Sequence, residues 1–274
     1  MNRLNDALIV LVPLFYFATV VAYWLQFDSE RRFGKKAGIA WAVVTLFVHI
    51  CHFGVRGAIV GHFPLTTVID SLMVLGAFML TAYVVAELAT GIAATGFYLL
   101  SLPAALVTVA CAVGPHEPKH DPRLDTPLFL LHAIPAVGGI AAVFFSGLYG
   151  TLYLRLAHEI RTKKFGRLFA RLESLDLLAR MNQGAAWTAF LLATAAIGYG
   201  AVRYAKLYDR VNVAEPKILV TLAIWFVLGI PVLGRATRKM SDRAASWWAV
   251  AIMSIVLLSI VYSFCPTLGF HANT

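Results

Sequence analysis

The chain reads as an all-α protein, a polytopic bundle of about eight transmembrane helices with both termini external. Three observations predict this. Of its 274 residues 60% are hydrophobic and 14% charged, with a mean hydropathy of +0.76, whereas a soluble domain carries about 25% charged residues. The apolar residues fall in runs of roughly 18 to 25, the length that crosses a hydrocarbon core of about 30 Å as helix. Strand-like alternation is absent, which excludes a membrane barrel.

The spans follow in order. The first, 6–25, comes after a start with one basic residue, Arg3, and the apolar run lacks a small-x-small cleavage site. It therefore reads as a retained helix and not a signal peptide. The second and third, 37–56 and 67–88, are joined by a turn over Gly57 to Pro64, and the fourth is 92–113. Thr126-Pro127, a cap followed by proline at the first helical position, opens the fifth at 127–155. The last three are 184–205, 217–234 and 244–264. We expect a single integral membrane domain over 1–274. Within it, Phe165, Leu168, Phe169, Leu172, Leu175 and Leu178 recur at helical spacing between charged residues. That pattern describes an amphipathic interfacial helix over 160–181 on the cytoplasmic surface, acting as a connector or a partner-binding element.

Charge sets the orientation. Arg31, Arg32, Lys35 and Lys36 fill the first loop, Arg155 to Arg180 the fifth, and Arg235, Arg238, Lys239 and Arg243 the seventh. These loops hold 15 of the 23 Lys and Arg residues, so their face is cytoplasmic. The net charge of +9 thus reports topology and anionic lipid, and nucleic acid is not an expected partner. Cys51, Cys111 and Cys265 have no C-x-x-C or C-x-x-C-H spacing, so neither a thiol relay nor covalent haem attachment is indicated. Core packing is the role they suggest. No phosphate-binding glycine loop, H-E-x-x-H or G-x-S-x-G occurs, which leaves ATPase, metalloprotease and hydrolase readings without a motif.

With the topology set, the histidines become informative. His62, His116, His120 and His271 fall in outer loops or the outer tail, His132 lies about one turn inside the fifth span, and His49 and His52 occupy the outer half of the second. Only His158 is cytoplasmic. Ionisable groups inside a membrane span are costly and by default mark a function, although His49 and His52 near a helix end can also be water-accessible and structural. They share a face at i, i+3, and Arg56 follows His52 at i+4, where it can pair with a haem propionate or with Asp70. Imidazole is an axial ligand for haem iron, and His132 and His271, distant in sequence and both near the outer face, suit a bis-His site. Zinc is the competing chemistry, with His116-x-x-x-His120 beside Glu117 and Asp121 at ligand spacing in a proline-rich loop.

From about His49 to His271 these pieces resemble the cytochrome c assembly family, haem-handling membrane proteins that include synthase components and shorter HemX-like relatives. The matching residues are His49 and Arg56, then Gly61-His62-Phe63-Pro64-Leu65, Asp70-Ser71-Leu72, Leu131-His132, Leu172-Glu173-Ser174-Leu175-Asp176, Glu215-Pro216-Lys217 with Trp225, and Pro266-x-Leu268-Gly269-x-His271. The resemblance implies haem b bound non-covalently at the external face of a bacterial inner membrane, with His132 and His271 as iron ligands. It also implies a deeper haem position drawing on His49 and His52, with Arg56 beside them, and a partner such as apocytochrome c or another assembly factor. The chain departs from the synthases twice: no Trp precedes Pro216 over Lys206 to Glu215, and Leu233-Gly234-Arg235 stands where synthases carry an intramembrane His. The implied role is haem binding or delivery in cytochrome c assembly, short of a complete synthase. The alternative is a non-catalytic membrane subunit or regulator in which the histidines are structural.

Overall fold

The computed structural model describes residues 2–28, 36–65, 67–113, 126–208 and 216–263. Nine helices occur among them and no strand: α1 (Asn2–Asp28), α2 (Ala37–Val60), α3 (Val68–Thr90), α4 (Gly96–Val113), α5 (Pro127–Thr162), α6 (Arg167–Arg171), α7 (Leu175–Tyr208), α8 (Pro216–Ala236) and α9 (Asp242–Ser263). All but α6 are long and apolar enough to cross a membrane, which makes eight candidate spans. The protein is an all-α, multi-pass membrane protein. Its surface agrees, since Phe17, Phe47, Leu88, Phe226 and Leu258 are exposed while His49, Asp70, Glu87 and Asn182 are buried. Such an inversion suits lipid as the surrounding solvent.

The chain packs as two compact units, residues 1–129 and 130–274. In the first, α1 lies against α2 and α4, and α3 lies against α4 and α2, so α2 and α4 face each other across the centre. Apolar side chains cannot gain by leaving lipid for one another, so hydrogen bonds and close contact hold such helices together. Thr19 Oγ1 and Thr45 Oγ1, 2.7 Å apart, link α1 to α2, and the Tyr23 hydroxyl donates to Glu87 Oε2 at 2.5 Å, linking α1 to α3. Gly61, at φ +86°, ends α2 in the left-handed conformation, and its N–H donates to the Gly57 carbonyl.

In the second unit Gly139 lets the backbone of α7 at Ala189 and Ala193 approach α5, and Gly150 does the same for α9 at Ser246. A buried polar link crosses this packing. Ser146 Oγ donates to Asn182 Oδ1 at 2.7 Å, and Asn182 Nδ2 donates to Ser246 Oγ at 3.3 Å. At the turn between α8 and α9, Arg235 pairs with Asp242.

The segment 160–181 differs from the single amphipathic helix expected there. It is divided among the end of α5, the short α6 and the first turns of α7. Capping explains the breaks. The Glu159 carboxylate accepts from the N–H groups of Gly166 and Phe169, which starts a new helix after Gly166. Leu172 is extended, and Ser174 Oγ then accepts from the Leu177 N–H to open α7.

Candidate functional site

His132 lies in the second turn of α5, half-buried. The start of that helix is as expected: Pro127 is its first residue, and Thr126 Oγ1 accepts from the Phe129 N–H at 3.3 Å. Across from it on α7, the carbonyl oxygen of Ala196 stands 2.7 Å from His132 Nδ1. A carbonyl oxygen can only accept, so Nδ1 carries the proton, and in the neutral ring Nε2 keeps its lone pair. This is the arrangement by which proteins orient an imidazole that ligates a metal. The ring fits there because residue 200 is glycine. A Cβ at that position would lie 2.9 Å from Nδ1 and 3.1 Å from Cε1.

His271, the expected second iron ligand, lies outside the described residues, as do His116 and His120 of the zinc alternative. His62 is within them, and its Nδ1 is 3.0 Å from the Phe63 carbonyl oxygen. Among the described residues no group of three or more His, Cys, Asp and Glu side chains is gathered as a metal site.

In the first unit the structure brings His49, His52, Arg56 and Asp70 together. His49 is sealed, at 0% exposure, with the Tyr16 hydroxyl 3.0 Å from Nδ1 and the Phe53 ring stacked at 4.6 Å. Its Nε2 has no partner among the described residues, and neither does Nδ1 of His52. The two imidazole centroids are 6.3 Å apart. Arg56 Nε stands 3.7 Å from Asp70 Oδ1, one of the two partners expected for it. Asp70 is fixed from its own helix as well: Thr67 Oγ1 donates to Oδ2 at 2.8 Å and accepts from the Asp70 N–H at 3.0 Å, a reciprocal cap at the start of α3. A cavity opens beside this cluster, lined by His52, Arg56 and Asp70 together with Met73 and Cys111.

Several participants escaped sequence reasoning. Ala196 acts through its backbone, and Gly200 by the space it leaves. Tyr16 lies 33 residues from His49, and Tyr23 lies 64 residues from Glu87. Glu87 alone carried a legible signal, being a carboxylate near the end of an apolar run.

The fold and these clusters define a class: a multi-pass helical membrane protein that orients one imidazole near a helix terminus and buries further ionisable groups between its spans. Within that class the chain belongs to the cytochrome C assembly protein family, whose model matches residues 65–268. It is similar to Protein HemX of Bacillus subtilis (strain 168), with 21% identity over 267 residues covering 94% of this chain and 93% of that protein.

Proposed function

We propose that the protein binds haem b non-covalently at the external face of the bacterial inner membrane and holds or delivers it during cytochrome c assembly. His132 and His271 are the axial ligands in this reading, and apocytochrome c or another assembly-factor membrane protein is the recipient. The observation that supports it is the oriented imidazole of His132, with Nδ1–H held by the Ala196 carbonyl at 2.7 Å and Nε2 left as the donor atom. Haem, when bound, supplies an iron that accepts two axial imidazoles. Ala196 fixes the tautomer, Gly200 accommodates the ring, and His132 offers one lone pair. His271 enters through the family resemblance.

The deeper haem position implied by that resemblance draws on His49, His52 and Arg56. There His52 lines a cavity and Arg56 holds Asp70, whereas His49, although its Nε2 has no partner among the described residues, is sealed at 0% exposure with Phe53 stacked on its ring. The sealed packing of His49 favours a second reading at that residue, a structural histidine in a non-catalytic subunit or regulator.

The test is the absorption spectrum of purified protein. Wild type should show low-spin bis-imidazole haem. His132→Ala and His271→Ala should each lose that spectrum, and added imidazole should partly restore it by filling the vacated position. His116→Ala and His120→Ala should leave it unchanged. Protein that purifies without haem from haem-replete membranes, and takes up none when it is added, would move the assignment to the regulator.

A further inference from the structure

The cavity beside Arg56 and Asp70 in the first unit collects donors from three helices. His52 comes from α2, Met73 from α3 and Cys111 from α4, and all three line it. His52, Met73 and Cys111 thus reach the lining of one cavity from three different helices. Cys111 Sγ donates to Met73 Sδ at 3.8 Å. His52 is only 6% exposed, and its buried Nδ1 has no hydrogen-bond partner among the described residues.

We infer that this cavity is a Cu(I) site, with the Cys111 thiolate, the Met73 thioether and the His52 imidazole as ligands. Two sulfurs bonded to one ion at about 2.3 Å, with an angle of about 110–120°, stand about 3.8–4.0 Å apart. The S···S distance of 3.8 Å already present falls in that range, so an ion can bridge the two sulfurs without moving them apart. Thiolate and thioether are soft ligands, which select Cu(I) over the harder divalent ions. Charge points the same way. One monovalent cation with one thiolate and two neutral ligands makes a neutral complex, whereas Zn²⁺ or Fe²⁺ would leave a net positive charge between membrane helices, since the carboxylate lining the cavity, Asp70, is already engaged by Arg56 and Thr67. In the binding step the Cys111 S–H bond breaks, its proton leaves to solvent, and a Cu–S bond forms. Copper enters and stays as Cu(I), so no electron is transferred. The site stands independently of the haem assignment on α5.

The experiment uses the full-length chain in detergent, carrying Cys51→Ser and Cys265→Ser so that Cys111 is its one thiol. This parent is titrated with Cu(I) anaerobically against a colorimetric Cu(I) chelator. It should retain one Cu(I) per chain, with sulfur and nitrogen scatterers in X-ray absorption at the copper edge. Cys111→Ser and, separately, Met73→Leu should weaken retention at least tenfold while circular dichroism stays that of the parent. His52→Ala should remove the nitrogen contribution. Failure of the parent to hold Cu(I) against the chelator would overturn the proposal, as would retention indifferent to Cys111→Ser or equal retention of Zn(II). Haem uptake that His52→Ala abolishes, in a parent that holds no Cu(I), would assign the cavity to porphyrin instead.

Discussion

Gly200 does for His132 what no larger residue at that position can do. An added methyl group would force the ring away, and the ring, being the free end of a side chain, would rotate off the Ala196 carbonyl. A neutral hydrogen bond is worth about 0.5–1.5 kcal/mol, so Gly200→Ala should weaken haem binding about two- to tenfold. Gly198→Ala is the control, since a Cβ there would meet nothing within 4 Å beyond its chain neighbours and the adjoining backbone of its own helix. Nitrogen-15 NMR of the haem-free protein reads the same point without haem: the proton should sit on Nδ1 of His132 in wild type and lose that preference in Gly200→Ala. Identical behaviour of the two alanine variants would remove Ala196 as the orienting group. At this scale the sequence was readable where the chemistry sits in a side chain. His49, His52, Arg56 and Asp70 stand out as ionisable groups in apolar surroundings, and the structure gathers all four. Ala196 and Gly200 were silent, because a carbonyl oxygen belongs to every residue and a cleared space belongs to none. Met73 and Cys111 were silent too, since each is an ordinary apolar residue until the other is found beside it.

Among the elements, the junction of α2 and α3 carries the most electrostatic consequence. Arg56 and Asp70 side chains are each only 9% exposed, and removing one partner of a buried pair leaves an uncompensated charge that costs about 3–5 kcal/mol. Arg56→Gln and Asp70→Asn should each lower stability in detergent denaturation by about that amount, with the double variant costing less than the sum. Thr67→Ala removes the cap of α3 and should cost about 1 kcal/mol. Should Arg56→Gln change stability by less than about 1 kcal/mol, the pair behaves as an exposed one. Helix existence was legible in the sequence and helix ends were not. The fifth span was expected to close at residue 155 and the sixth to open at 184, yet α5 runs to Thr162 and α7 begins at Leu175. Hydropathy reports where lipid is crossed, whereas a helix begins where a cap takes up its first N–H groups and ends where the backbone turns out of the helical conformation, as Lys163 does at φ +53° after α5. The caps here, Glu159 and Ser174, are polar side chains that an amphipathic pattern absorbs as part of one helix face.

For the whole molecule the outstanding expectation is orientation, which eight spans alone do not determine. Reporter fusions after Lys36, Lys164 and Lys239 should read cytoplasmic, and one after Thr274 external, because the basic loops are held on the cytoplasmic side. A cytoplasmic C-terminus would take away the grounds for placing His132 and His271 at the outer face. The length of α5 supplies a check by another route. Its 36 residues extend about 54 Å. Even leaning at about 40°, near the steepest seen for membrane helices, such a rod still rises about 41 Å, against a hydrocarbon layer of about 30 Å. No lean within that range conceals it, so one end stands clear of the oily layer. With Arg155, Arg161, Lys163 and Lys164 at its far end, the joint into α6 becomes the place where trypsin should nick inverted vesicles and spare right-side-out ones.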